Sequence, residues 1–524
     1  MKKHNIKILS ILILSFILNA CTSVKKYNAQ VSKLHQPTQL KNGVDFAYKK
    51  LQKLHPELYL YISKKDLDQK FNSLKNNLNK PLSSVAFYKQ LAPVIMSIGQ
   101  GHTSLNPPYK KQTKAEIKAK GKRIYPFRSL DFTNIQNKII VAKTYGKDST
   151  ILVGSELIAI DNEKTNDLIN SFKNLHTDDG YNKTFVPDFT RKYIGSFYLK
   201  THGLKDSIQL TFKYKDSLYN KYLYAFMEKK KTKKDSIKPK KLSKLEKKLA
   251  KEKAKARNKW ESKYGYNKYT KESNRGLKFI ISDTINTTAY LKIRGFENGN
   301  YEDFYKEAFT KIDSLKTKNL IIDLRDNRGG RLDEIIEFYS YLTDKEHYFV
   351  KKSKMTKASS WMYPFFHNKS VLIKSIFTLL YPVAKIAQIP MVKIIDGEPY
   401  MNLNSKLQKP KEEHNYKGKI YVLINGISFS SSSVIANNLK ANKHAYFVGN
   451  ETGGAYNSTV AGMFAEIELP NSKLHLNFGV YNIETPNKTT PKGYGVKPDK
   501  YIEVTTLEKD EQLDWIINDI KKNN

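Results

Sequence analysis

Three apolar runs, each closing in a turn of small polar residues, constrain this chain more than any other feature. They are "NLIIDLRDNRGG" from Asn319, "KIYVLINGISFSSSS" from Lys419 and "AYFVGNETGG" from Ala445. "TAYLKIRGF" and a helical pattern over Tyr301 to Leu315 precede the first run, a second helical pattern over Leu332 to Leu342 follows it, and the rhythm ends near "GYGVKPDKYIEV". Strand and helix in alternation predict an α/β core with a mixed, partly parallel sheet. Ligands of open α/β sheets gather at the carboxyl ends of the strands. The chain places Asn327 to Gly330, Ser428 to Ser433 and Gly449 to Gly454 there. Adjacent glycines let backbone N–H groups face an oxygen, and a serine at a helix start meets unpaired N–H groups and the positive end of the dipole. The same residues also suit a Ser-rich helix cap and ordinary glycine turns. The rest of the chain has to decide.

The 524 residues are enough for two to four domains, and 40% hydrophobic content calls for a packed protein. The first residues set the compartment. Lys2, Lys3 and Lys7 are basic, Ile8 to Leu18 is a short apolar run, and Leu18-Asn19-Ala20-Cys21 reads as a cleavage site. The run is too short to span a bilayer. Cys21 is the only cysteine, which excludes disulfides and a cysteine nucleophile. Its position resembles the bacterial lipobox, and this implies a lipidated mature N-terminus on the cell envelope, at the outer membrane and facing periplasm or surface; an ordinary signal peptide followed by a chance cysteine is the competing reading. The net charge of +41 suits either attraction to anionic surfaces or a solvated lysine surface, and export argues against nucleic acid as a partner.

Eight segments follow: a signal peptide (1–20), a lipid-anchored tether (21–40), an N-terminal helical domain (41–105), a β-rich unit (120–225), a Lys-rich helical insertion (226–272), the first half of the core (273–345), a helical insertion (346–400) and the second half of the core (401–510). Apolar residues at helical spacing, such as Val44, Ala47, Tyr48 and Leu51, with Pro56 and Pro81 as punctuation, predict three or four helices before "SIGQGHTSL". In the β-rich unit "GSELIAIDNEKTNDLI" resembles the PDZ pattern, which implies capture of chain ends by strand addition. A packing unit that binds nothing fits the same residues. Val371 to Ile395 is apolar but interrupted by Lys374, Pro382, Lys385 and Pro390, so it reads as a helical cover beside the core rather than a membrane span. No metal-binding or cofactor motif is present, and "HTDDG" at His176 reads as a polar loop.

"NLIIDLRDNRGG", "LINGISFSSSSVIANNLK", "FVGNETGG" and "GYGVKPD" resemble, in that order, the signature blocks of the tail-specific, or carboxyl-terminal processing, serine peptidases, whose superfamily includes the tricorn core. "HPELYLY" and "SIGQGHTSL" are similar to the N-terminal region of a bacterial lipoprotein branch. The resemblance covers residues 40 to 505 apart from the two insertions. It implies an α/β core with a PDZ-like β-rich domain and an N-terminal helical cap, peptide-bond hydrolysis without a cofactor, and protein or peptide substrates. The family's Ser-x-Ser-Glu block falls on Ser430 to Ser433, which implies Ser430 as nucleophile, with the N–H groups of Gly329 or Gly330 and of Ser431 as the oxyanion site. The alternative at Ser430 is a cap on a helix starting near Val434. Where one branch has a lysine this chain has Ala455; the tricorn-like branch uses a histidine, and His102 lies in the matching Gly-His-Thr turn. A neutral imidazole suits a base near its ordinary pKa. No acid for it is placed by the sequence: Glu484 lies in the loop before "GYGVKPD", but nothing puts it near His102. Gln100, Ser433 and Ala455 depart from the pattern, which keeps a non-hydrolytic relative binding peptides or apolar ligands in the same cleft as the second reading.

Overall fold

The computed structural model describes residues 24–145, 150–228, 243–280, 287–363, 371–442 and 445–523. Six strands, Arg275–Ile280, Thr288–Ile293, Asn319–Asp323, Lys419–Ile424, Ala445–Gly449 and Lys500–Tyr501, form the core sheet in that order. The first pair is antiparallel and the rest are parallel, with Asp323 opposite Leu423 and Ile424 opposite Gly449. This places all three polar turns side by side at one end of the sheet. Every residue of Asn319–Asp323 is buried, because helices cover both faces. Leu320 and Ile322 enter the main core, whereas Ile321 joins Tyr421, Leu423 and Val448 under Ile516 and Ile520 of the last helix, Glu511–Lys522. Helices Tyr301–Ser314 and Leu332–Ser340 end within two residues of their sequence-based limits.

A second sheet holds the long hairpin Ser458–Glu468/His475–Glu484, joined along one edge by Ser104–Asn106 and Ser353–Lys354. A third, antiparallel sheet orders Leu130–Ile135, Lys138–Thr144, Glu156–Ile160, Ser207–Tyr214 and Ser217–Tyr224. Its excursion from Thr165 to His202 adds helices Thr165–Phe172, Phe185–Lys192 and Ile194–His202. The N-terminal helices are Pro37–Leu54, Lys64–Asn77 and Ser84–Met96; the first buries Leu40, Val44, Ala47, Leu51 and Leu54 as one stripe. Within the Lys-rich stretch, Ser243 and Glu246 form a capping box for an exposed helix, Lys244–Tyr264, with no buried residue.

Two boundaries are corrected. The supposed tether is docked from Val24 onward: Val24–Val31 is a helix that buries Tyr27, and Asn28 exchanges two hydrogen bonds of 2.8 Å with the backbone of Lys111. Polarity hid this, because the docking uses amide side chains and one ring. The insertion 346–400 is only half helical. Helices Val371–Leu379 and Tyr381–Met391 lead into strands Val392–Ile395 and Glu398–Met401, which extend the second sheet. Cys21, the segment before it and His444 lie outside the described residues.

Candidate active site

The serine turn hangs from the end of its neighbouring strand. Ser428 Oγ donates to the carbonyl of Leu324 at 2.8 Å, Phe429 N donates to that of Asn327 at 3.0 Å, and the Asn425 carboxamide bridges to both the N–H and the carboxylate of Asp326 at 3.0 Å. These bonds lift Ser430 into φ 56°, ψ −123°, a region that a non-glycine residue occupies only when its surroundings impose it. The helix begins at Ser431, three residues earlier than the sequence suggested, and Ser430 makes no side-chain cap bond to it. Among the described residues nothing hydrogen-bonds Ser430 Oγ. The capping alternative therefore loses its support.

Across the gap, Asn327 shapes the glycine turn. Its Nδ2 donates to the Ile293 carbonyl and its Oδ1 accepts from Gly329 N, both at 2.9 Å. A Cβ on Gly329 would stand 2.6 Å from Ser430 Cβ, so only glycine fits. Gly329 N is thus already engaged, which removes it from the expected oxyanion donors. The N–H groups of Gly330 and Ser431 have no acceptor among the described residues, and Ser431 Oγ ties the two turns together by donating to the Gly330 carbonyl at 2.7 Å.

The His102 ring packs tilted by 37° against Phe429, the residue before Ser430, with ring centres 4.7 Å apart. Gly101 makes this approach possible, since a Cβ there would lie 2.6 Å from the Phe429 ring. Desolvation, with the positive Arg328 second, pushes the imidazole pKa down to about 4, well below the unshifted base that sequence suggested. His102 Nδ1 meets Thr459 Oγ1 at 3.1 Å, and Thr459 Oγ1 donates to Asp179 Oδ2 at 3.4 Å. Asp179 is 1% exposed and also accepts from Gly101 N at 2.7 Å. Burial raises its pKa to about 6, against the lowering effect of the N–H groups of Gly101 and Ala455 and the Thr459 hydroxyl.

Asp179 and Thr459 escaped the sequence reading. The first stands in "HTDDG", whose residues read as a polar loop, and the second in a strand with no motif. The paired acids before a glycine were the available signal. Glu484, which the sequence did not place near His102, is held by Lys488 Nζ at 2.8 Å and pairs with Ser458, one residue away from the face that carries Thr459. Ser433 is folded inward, its hydroxyl on the Ser428 carbonyl at 3.1 Å. Ala455 fills the position of the other branch's lysine, is 3% exposed and donates its N–H to Asp179 at 3.4 Å.

Phe429 continues outward as an aromatic ladder. Phe185 stacks on it at 4.5 Å, Phe189 on Phe185 at 4.7 Å, and the Arg328 guanidinium lies 5.2 Å from the Phe189 ring centre. The helix Phe185–Lys192 thereby fixes the β-rich unit against the serine turn.

The model of the family described as Peptidase family S41 matches residues 287–502. The carboxy-terminal-processing protease of Bartonella bacilliformis is 25% identical over 238 residues, 45% of this chain and 42% of that protein, so the match spans less than half of that relative's length. The crystal structure of mature CPAF is similar in fold, with a TM-score of 0.60 at 14% identity over 93% of this chain and 98% of that one. Residues 287–502, which carry the raised serine turn and its glycine partner, match the model of Peptidase family S41 and are similar in sequence to a carboxy-terminal-processing protease.

Proposed function

We propose that the chain hydrolyses peptide bonds of proteins or peptides. Ser430 Oγ attacks the carbonyl carbon while His102 Nε2 takes its proton. The N–H groups of Gly330 and Ser431 receive the oxyanion, the second reinforced by the helix N-terminus. His102 then returns the proton to the leaving amine, and a water repeats the sequence on the acyl-enzyme. The observation that carries this reading is Ser430 forced to φ 56° beside a histidine packed against its neighbour. A fluorophosphonate probe tests it: the wild-type chain becomes labelled at Ser430, and Ser430→Ala does not. An unlabelled wild-type chain would identify the non-hydrolytic binder instead.

Thr459 and Asp179 are positioning residues in this scheme. An ionised Asp179 accepts the Thr459 proton, Thr459 accepts His102 Nδ1–H, and the lone pair is left on Nε2. A protonated Asp179 donates instead and reverses the relay, placing the proton on Nε2. His102 is neutral above about 4 and Asp179 ionises as pH rises through about 6, so kcat/KM falls as pH drops through about 6. Asp179→Asn should remove that limb and lower kcat by roughly a hundredfold, within the range of acid–base effects; Thr459→Ser should keep it and Thr459→Val should not. A limb unchanged in Asp179→Asn refutes the relay.

The envelope location belongs to the same reading and rests on the Leu18 to Cys21 segment. Cys21→Ser should move the protein from the membrane to the soluble fraction in a fractionation experiment, and retention through a salt wash would show that lipid is not the main anchor. The PDZ-like role of the β-rich unit is supported by its free edge strand, Ser217–Tyr224, with Tyr222 and Tyr224 exposed.

A further inference from the structure

The helical hairpin Val371–Leu379/Tyr381–Met391 turns an apolar surface outward that no described residue covers. Leu379 is 80% exposed, Ile389 71%, Ile386 68%, Ile394 63% and Val383 62%. Such a cluster is not a by-product of poor packing, because the hairpin is fastened to the body. Trp361 Nε1 donates to Gln388 at 3.4 Å, and Asn402 N donates to the Met391 carbonyl at 2.8 Å. One side of the hairpin is held, and the aliphatic side is presented.

We propose that this hairpin lies in the headgroup layer of an anionic phospholipid bilayer. Its composition separates a membrane from a protein partner. Protein interfaces centre on aromatic residues and arginine, whereas the most exposed residues here are isoleucine, leucine and valine, with Tyr381 and Met391 less exposed beside them and Lys385 and Lys393 exposed among them, the pattern of an interfacial helix. Helices of nine and eleven residues are too short to cross, and no described helix is long and apolar enough to do so. Lys50 sits 5.3 Å from the ring centre of Tyr363, shortly before the hairpin, and Lys49 and Lys53 are close enough to depress its pKa after desolvation has done so. Asp396 and Glu398 are the acidic residues at the end of the apolar surface. A chain of net charge +41 meets anionic headgroups favourably over the rest of its surface as well.

The test uses the full chain with Cys21→Ser, so that no attached lipid contributes, with and without Ile386→Glu and Ile389→Glu. Both proteins are sedimented with vesicles of phosphatidylglycerol and phosphatidylcholine, and with phosphatidylcholine alone. The parent should bind the anionic vesicles, bind the neutral ones far less, and lose roughly a hundredfold in partitioning when both isoleucines are replaced, the size expected for withdrawing two buried aliphatic side chains. An unchanged melting temperature of the variant, expected because both positions are exposed, shows that the loss is not unfolding. Equal binding by parent and variant, equal binding to the two vesicle types, or no binding by the parent overturns the proposal. So does a self-association of the parent that the two substitutions abolish, since a second copy would then be the occupant.

Discussion

His102→Ala should lower kcat by roughly a thousandfold or more, the loss that follows when one member of a serine-histidine pair is removed. The size comes from the surroundings. The imidazole is held neutral by burial and by Arg328, and among the described residues no other histidine ring packs against the serine turn. A water in its place would be a much weaker base and would lack the Thr459 support. KM should change little, since the ring acts in the transition state and not in holding the chain. Ser430→Ala gives the companion result. It should abolish turnover of a denatured protein substrate without the roughly 1 kcal/mol that losing a helix cap costs, because Ser430 provides no cap bond. A fully active His102→Ala variant refutes the mechanism.

The second large effect is on stability. Arg275 and Glu334 are both fully buried and paired at 2.6 Å. The guanidinium is saturated further by the carbonyls of Lys263, Glu297 and Asn298, and Glu334 also accepts from Tyr305 at 3.2 Å and from Arg331 at 2.7 Å. Arg275→Met leaves a carboxylate without its buried partner and should cost about 3–5 kcal/mol in urea unfolding, whereas Arg275→Met with Glu334→Leu should recover most of it. A single variant within about 1 kcal/mol of wild type would show that Arg331 alone suffices. Because Glu334 sits in the first turn of the helix that leaves the Gly329-Gly330 turn, Arg275→Met should also loosen the oxyanion donors.

The core strands were legible because their apolar runs are continuous and their turns polar, and adjacent parallel pairing then follows. Motif resemblance pointed to Ser430, Ser431, Gly330 and His102, and the fold brings the serine turn, the glycine turn and His102 together. Gly329 was misjudged because its N–H is consumed by a side chain two residues away, which spacing does not reveal. Asp179 and Thr459 were not legible for a different reason. They are 280 residues apart, and only the packing of three chain segments brings them together under His102. The docking of Val24–Val31 was missed because it relies on polar side chains, and the strands after Met391 were missed because helix-like and strand-like apolar runs of that length look alike.

Asp179 also bears on how this protein could be taken apart. The matched peptidase segment, 287–502, contains the serine, both free N–H donors and Thr459, but neither His102 nor Asp179. The acid comes from the excursion of the β-rich unit, and Phe185, which lies on Phe429, comes from the same excursion. On the proposed reading, a truncation that removes this unit therefore withdraws the acid of the relay together with the edge strand offered to peptides. The unit is not an exchangeable accessory. On the same reading, a transplanted unit would carry the proposed relay acid across with the proposed binding edge, and any tilt of the unit on the core would be felt first at the histidine.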